Sequence, residues 1–518
     1  MSSRSRRAAL LLLLMMLVHV QHSCQAVPSQ PQYFKHQLVD HTNSSRQYKS
    51  LEWTQRYYES GQHFQGAGSP IFLIMGGEGA IPPETGLFYP FVSNRLAKTF
   101  GAFVLQPEHR YYGESIPVHV TDEYDPRSVL LTPEQALYDA VRLTRHVQDL
   151  LLCSQNKSSP EYCPVISVGG SYPGFLSMAA RLRFPHFVDI SYAASAPVKF
   201  YAQQVHADEY YNHISHIAER CRPGCCSAVK STLESLATAF EKLNLRHEIQ
   251  QAAASLGFCP ESVPSYMTTN GTIFQMELFM IIGYTFANDN MAYYPPDNTT
   301  RLYSSCSAYM DMTMNPTARA KRFFQQHFLQ YNQTCIDMSL QLPSGTRATI
   351  SAGDWSGVGT GKDGESWDFQ TCTLLVEAIG FSKSSMFPTR PWTREWLTHH
   401  CQSRFGISPQ PNWLSRKWHF DNLMEANITR ILFTNGLLDG WSVGGILTNI
   451  SDSIVSLNFP NGAHHSDLSH QGPSAQDTWD IRQGFGKIEQ LLATWLQEIQ
   501  MLSNEGGYRL RASAVNTS

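Results

Sequence analysis

Six short apolar runs constrain this chain more than any other feature: IFLIM at 71–75, AFVL at 102–105, VISV at 165–168, VDISYAA at 188–194, ILFT at 431–434 and SIVSLNF at 453–459. Each stops at a glycine-rich or polar turn. Apolar runs of this length read as buried strands. Helical segments lie between the early ones. The clearest is TPEQALYDAVRLTRHVQDLL at 132–151, where Thr132 is placed to cap and Glu134 and Gln135 fall in the first turn. Strands alternating with helices predict a mostly parallel sheet covered on both faces, an α/β architecture. The stretch 200–345 breaks this pattern. It is rich in helix formers, poor in strand-like runs, and carries six cysteines. A disulfide-stapled helical cap inserted there would divide the α/β domain into 27–199 and 346–518.

The start of the chain points to an oxidising compartment. Arg4, Arg6 and Arg7 precede LLLLLMMLV, and Cys24-Gln25-Ala26 follows, so residues 1–26 read as a secretory signal peptide. The apolar part falls short of the roughly 20 residues a membrane span needs, and no later stretch reaches that length. A soluble product is expected. Cleavage would remove one of eleven cysteines, and the remaining ten allow up to five disulfides, with Cys153 and Cys163 close enough for a local loop. Cys221, Cys225 and Cys226 in CRPGCC, like His399, His400 and Cys401, lack finger-like spacing and are not read as a metal site. Eight N-x-S/T acceptors fit the secretory route: Asn43, Asn156, Asn270, Asn298, Asn332, Asn427, Asn449 and Asn516. The net charge is −4 and no basic stripe exists, which excludes nucleic acid as the expected partner. No cofactor is expected, because there is neither a glycine-rich phosphate loop nor a metal-ligand cluster.

Two serines compete for a nucleophile's place. Gly440-Trp441-Ser442-Val443-Gly444 matches G-x-S-x-G, whereas Ser171 in VISVGGSYPGFL does not. The mechanics favour Ser171. A nucleophile elbow puts its serine directly after a strand and directly before a helix. Ser171 has VISVGG before it and GFLSMAARLRF after it, but Ser442 follows a strand that ended at about Asn435. The chain order also works for Ser171: Asp439 follows ILFT, and His464 follows SIVSLNF. In such a set the histidine removes the serine proton, and the carboxylate fixes the histidine's tautomer. Oxyanion donors would be the N–H of Tyr172 and, from the glycine-rich turn after IFLIM, that of Gly77. Serine, aspartate and histidine each occur far more often as turn or surface residues. Their order on the right elements singles these three out.

These residues sit in motifs that resemble one peptidase family: HQLVDHTN (36–43), WTQRYY (53–58), GGEG (76–79), EHRYYGES (108–115), LTPEQAL (131–137), GGSY (169–172), SAP (195–197), WDFQTC (367–372), NGLLD (435–439) and GAHH–DL (462–468). The chain resembles the serine peptidases that include lysosomal Pro-X carboxypeptidase, dipeptidyl peptidase II and thymus-specific serine protease. The resemblance implies an α/β-hydrolase fold with a helical cap and a serine exopeptidase, often acting next to proline. It implies a Ser171–Asp439–His464 triad, with His465 as the alternative to His464. Peptides are then the substrates, a homodimer is open, and the location is secreted or lysosomal/vesicular.

Three departures stand out. Pro173 replaces a small residue, Asp439 continues as Gly440-Trp441 where relatives have D-P-W, and Leu374 replaces a glutamate. Proline suits the first turn of a helix. It also steers Tyr172 away from the α region and adds bulk beside the strand. A tilted Tyr172 donor would cost roughly 10²–10³ in rate. The competing readings are therefore an esterase, or a catalytically impaired binding protein on the same scaffold.

Overall fold

The computed structural model describes residues 30–121, 124–341 and 361–515; the expected signal peptide over 1–26 and the acceptor Asn516 lie outside them. One sheet is built from β1 (Gln32–Leu38), β2 (Glu52–Ser60), β3 (Ile71–Ile74), β4 (Phe103–Pro107), β5 (Val165–Gly170), β6 (Ile190–Ala194), β7 (Ile431–Gly436) and β8 (Ile454–Phe459). The spatial order is β1-β2-β4-β3-β5-β6-β7-β8. β1 and β2 pair antiparallel, as do β2 and β4, and every other neighbouring pair is parallel. This is the α/β-hydrolase arrangement. All six apolar runs became strands. β1 and β2 were not expected, because QYFKHQL and EWTQRYYES carry polar residues on a partly exposed sheet edge.

The central strands β3, β5, β6 and β7 are buried at every residue, as strands covered on both faces must be. Helix α1 (Pro133–Leu150) packs on β1 and β4, and α2 (Tyr172–Arg183) packs on β5 and β6. Thr132 caps α1 as its sequence position suggested, its hydroxyl accepting the Gln135 N–H at 3.3 Å. The helix Trp479–Val515 lies against β8.

By packing, the chain forms two compact units. The sheet unit holds the described residues up to Ala202, Asn412–Leu437 and those from Gly444 on. The second holds Gln203–Pro411 and Leu438–Val443. It is helical, with α3 (Glu209–Cys221), α4 (Cys225–Phe240), α5 (Gly271–Met291), α6 (Arg301–Met310), α7 (Pro316–Phe328), α8 (Gly361–Thr371) and α9 (Arg394–Phe405) among its elements. Cys225–Cys306 ties α4 to α6, Cys259–Cys335 ties two loops, and Cys372–Cys401 joins the end of α8 to α9. Cys153–Cys163 closes the expected local loop in the sheet unit. Cys221 and Cys226 remain free thiols, so the upper limit of five disulfides is not reached. Burial pushes the Cys226 thiol up to about 12. His400 is bonded to Asp368 at 3.0 Å, and Cys401 is in a disulfide with Cys372.

The EHRYYGES stretch is a brace under the sheet. Arg110 is fully buried and grips Asp139 with two bonds of 2.6 and 2.7 Å, while its remaining donors reach the Leu38, Val39 and Leu130 carbonyls. Burial alone would raise the Asp139 carboxyl, but Arg110 and His41 outweigh it and hold the carboxyl below its ordinary range. Glu108 accepts from Arg56, from the Ile81 and Glu114 N–H groups and from the Ser115 hydroxyl. Replacing Arg110 by Met strands a buried carboxylate, and should lower stability by about 3–5 kcal/mol. Urea unfolding should show this loss, and Asp139→Leu in the same chain should recover most of it.

Candidate active site

Ser171 is the single residue between β5 and α2, with φ 65° and ψ −132°. An L residue held there stores strain on the order of 1–3 kcal/mol, so its surroundings must impose it. The Ser171 N–H donates to the Ala194 carbonyl at 2.9 Å, and its carbonyl accepts from Phe175 at 3.1 Å. Behind it the turn closes tightly: a Cβ on Gly169 would lie 2.1 Å from the Pro173 carbonyl oxygen. This is the strand–serine–helix seat the flanking sequence suggested.

Pro173 fits that seat. The helix already includes Tyr172, and Pro173 falls in its first turn, where no intrahelical N–H is needed. The ring's bulk is directed at Gly77, where a Cβ would stand 2.6 Å from Pro173 Cγ. The residue that proline adds beside the turn is thus accommodated by the absence of a side chain in the loop after β3. Tyr172 is fully buried, and its hydroxyl bonds His109 Nε2 at 3.1 Å. Because His109 Nδ1 faces the Arg110 carbonyl at 2.8 Å, Nδ1 carries the proton and Nε2 accepts from the tyrosine.

The loop after β8 brings His464 and His465 together, their rings 4.5 Å apart. The His465 N–H donates to the Ser195 hydroxyl at 2.9 Å, which gives the SAP motif a role. The Ala463 N–H donates to the Ser466 hydroxyl at 2.8 Å. The His465 ring covers Gly170, where a Cβ would lie 2.7 Å from its Cδ2. The histidine pair is therefore packed against the residue that precedes Ser171. Burial, then the charge of His464, pushes His465 well below the ordinary histidine value. Asp467 is buried and receives the Tyr192 hydroxyl at 2.5 Å. Burial raises its carboxyl despite that bond.

Asp439 lies in the chain just past β7, in the segment that packs with the helical unit, and is fully buried. Its carboxylate accepts the Trp441 N–H at 3.1 Å. Asn290 of α5 clasps this loop, donating to the Leu438 carbonyl at 2.8 Å and accepting from the Gly440 N–H at 2.7 Å. Gly440 presses on Tyr210: a Cβ there would meet its Cε2 at 2.9 Å. Ser442 is buried in the 3-10 turn Gly440–Gly444, its N–H on the Asp439 carbonyl, with no strand leading into it. The seven acceptor asparagines among the described residues, Asn43, Asn156, Asn270, Asn298, Asn332, Asn427 and Asn449, are all exposed.

Sequence reasoning missed Tyr89, Glu78, Asn290 and Asp467. Tyr89 sits at φ 56°, and its hydroxyl accepts the Gly170 N–H at 3.0 Å. Nothing in GLFYPF marks it. Glu78 and Asp467 lie inside motifs that had been quoted, GGEG and GAHH–DL, without a role of their own.

A profile of the serine carboxypeptidase S28 family matches residues 37–487. Lysosomal Pro-X carboxypeptidase of Mus musculus is 28% identical over 451 residues, covering 84% of this chain and 83% of that protein. The Homo sapiens protein of the same name is 27% identical over 453 residues, or 84% and 82%. Thymus-specific serine protease of Mus musculus is 28% identical over 495 residues, or 92% and 90%.

The Gly77–Pro173 contact predicts a coupled pair. Gly77→Ala alone should destabilise by about 1–3 kcal/mol, as overpacking does, and Pro173→Ala in the same chain should remove most of that loss in a thermal double-mutant cycle. His109 predicts a pH effect. Burial lowers it to about 4, whereas the unfolded chain takes up the proton near 6.5. Stability is therefore full above that value and falls as pH drops toward 4, by roughly 3 kcal/mol from this residue. Urea unfolding of His109→Gln across that range should show a flatter dependence than the parent.

Proposed function

This chain belongs to the serine carboxypeptidase S28 family, and we propose that it is an exopeptidase that hydrolyses peptides through an acyl-enzyme on Ser171. The family makes it a serine peptidase. In the proposed mechanism the Ser171 hydroxyl attacks the scissile carbonyl, His464 takes its proton, and Asp439 holds the imidazole in the right tautomer. The N–H groups of Tyr172 and Gly77 would receive the oxyanion. His464 then returns the proton to the leaving amine, and a water that it activates releases the acyl group.

The observation that carries this reading is the seat of Ser171: a non-glycine residue at φ 65° between β5 and α2, with the His464–His465 loop packed on the preceding residue. The exopeptidase part is supported by the relatives that are named carboxypeptidases. Their lysosomal names, four disulfides and seven exposed acceptor asparagines support a secretory or lysosomal location. No described helix is long and apolar enough to cross a membrane.

Fluorophosphonate labelling of the purified protein tests the assignment. Wild type and Ser442→Ala should label, and Ser171→Ala should not. Peptide hydrolysis by Ser171→Ala should fall by on the order of 10⁶, as when a nucleophile is removed from an intact site. Labelling lost with Ser442→Ala instead would sink the proposal. An unlabelled wild type whose labelling is restored by Pro173→Gly would mean a disabled elbow and a binding role.

A further inference from the structure

Sheet pairing of β7 ends at Gly436, opposite Phe459, and the Leu437 N–H adds a last bond to the Phe459 carbonyl at 2.9 Å. Asp439 therefore stands in a loop whose buried backbone must find its partners elsewhere. Asn290, in the last turn of α5, supplies them on both sides of it. Its Nδ2 donates to the Leu438 carbonyl at 2.8 Å, and its Oδ1 accepts the Gly440 N–H at 2.7 Å. The two bonds fix the orientation of the amide, since the reverse would set donor against donor and acceptor against acceptor. Asn290 and Asp439 are both fully buried. Another side of the loop is covered by apolar groups: a Cβ on Gly440 would meet Tyr210 and Ile214 of α3, and the Trp441 ring lies 4.7 Å from that of Tyr210. Packing of that kind confines a loop without setting the tilt of its peptide planes. Asn290 grips the plane before Asp439 and the plane after it, and those planes set the direction of the Cα–Cβ bond. The carboxylate is fixed further by the Trp441 N–H on its Oδ1 at 3.1 Å.

We propose that Asn290 is a positioning residue for the acid of the triad. This rests on the reading of Ser171 as the nucleophile and Asp439 as that acid. Asn290 takes no part in proton transfer; it aims the carboxylate whose task is to hold the imidazole in one tautomer. A catalytic group displaced by about 1 Å costs on the order of 10² in rate. The amide is itself placed by its neighbours. The Asn290 carbonyl accepts the Tyr293 N–H at 3.1 Å, which closes the end of α5. Asp289, the residue before it, is buried and accepts the Ser305 hydroxyl of α6 at 2.5 Å, and Ser305 lies 2.7 Å from His327 Nε2 of α7. The Ser305 proton is committed to Asp289, so this buried serine, histidine and aspartate anchor a helix rather than form a second reactive set. Cys306, next to Ser305, is bonded to Cys225 of α4. Helices α4, α6 and α7 thus brace the turn from which Asn290 reaches the loop, which is the support that precise placement needs.

The test is the rate at which a fluorophosphonate labels the purified protein, followed over probe concentration so that the maximal rate and the half-saturating concentration separate. Asn290→Ala should lower the maximal rate roughly 10²-fold and leave the half-saturating concentration within about two-fold. Asp439→Asn should lower the maximal rate roughly 10⁴-fold. Adding Asn290→Ala to Asp439→Asn should then cost less than about three-fold more, because the carboxylate that Asn290 aims is already absent. A side chain that merely held the fold would cost the same in both backgrounds. Where Asn290→Ala does not fold, Asn290→Asp carries the test. Its uncharged carboxyl repeats the bonding pattern of the amide, whereas the ionised form sets an acceptor against the Leu438 carbonyl. Its maximal rate relative to wild type should be within about three-fold at about pH 4.5 and fall at least roughly ten-fold by about pH 8. An unimpaired Asn290→Ala beside an impaired Asp439→Asn would overturn this proposal alone. So would a loss from Asn290→Ala that multiplies in the Asp439→Asn background, or an Asn290→Asp ratio that stays flat with pH. Labelling of Asp439→Asn at the wild-type rate, or a wild type that does not label, would overturn the reading of the triad and this role with it.

Discussion

Ser171 is held at φ 65° by crowding, and the neighbouring segments are shaped to supply it. The strain of such a backbone is small beside a domain's gross packing energy but comparable with a large part of its net stability. It persists because the Ala194 and Phe175 hydrogen bonds leave the turn little freedom. Three small residues then let three segments close on it. Gly169 admits the Pro173 carbonyl, Gly77 admits the Pro173 ring, and Gly170 admits the His465 ring. Pro173 is thus paired with a residue in a different loop, which explains how its bulky ring is accommodated beside the turn.

Beneath that loop lies a set of buried charges that would be costly if unpaired. Arg110 is satisfied by Asp139 and three carbonyls. Glu108 is satisfied by Arg56, two backbone N–H groups and Ser115. One of those N–H groups belongs to Ile81, two residues past the GGEG turn, so the carboxylate of the EHR motif fastens the loop that carries Gly77 and Glu78. His109, between the two charged residues, reaches Tyr172 instead. Three consecutive residues therefore position three different things: the loop after β3, the first residue of α2, and the α1 face that bears Asp139. Their place in a specific motif reflects support of the site rather than chemistry at it.

The central strands were legible because full burial on both faces requires unbroken apolar runs, and Thr132 was legible because capping is local. β1 and β2 were obscured by residues such as Lys35, His36 and Arg56, whose charges are solvated at the edge or paired within the sheet unit. The place of Ser171 between a strand and a helix could be read from its flanks even though its motif departs from G-x-S-x-G. Asn290 could not, since its hold on the Asp439 loop spans about 150 residues of chain. Tyr89 gave no signal either, because what distinguishes it is a positive φ and one bond to Gly170. The two free thiols were hidden for a related reason: five cysteine pairs are arithmetically available, but pairing depends on distances that spacing does not encode.

The surroundings of His464 have a common electrical character. Glu78 and Asp467 are raised by burial, Tyr89 keeps its proton, and His465 loses its own. Each shift moves a titratable group toward its uncharged form. In the proposed mechanism, charge other than that of the Asp439 carboxylate appears only transiently, as imidazolium on His464 and oxyanion near Tyr172. A neutral, partly desolvated setting screens such charges poorly, so the dipoles aimed at them act at close to full strength.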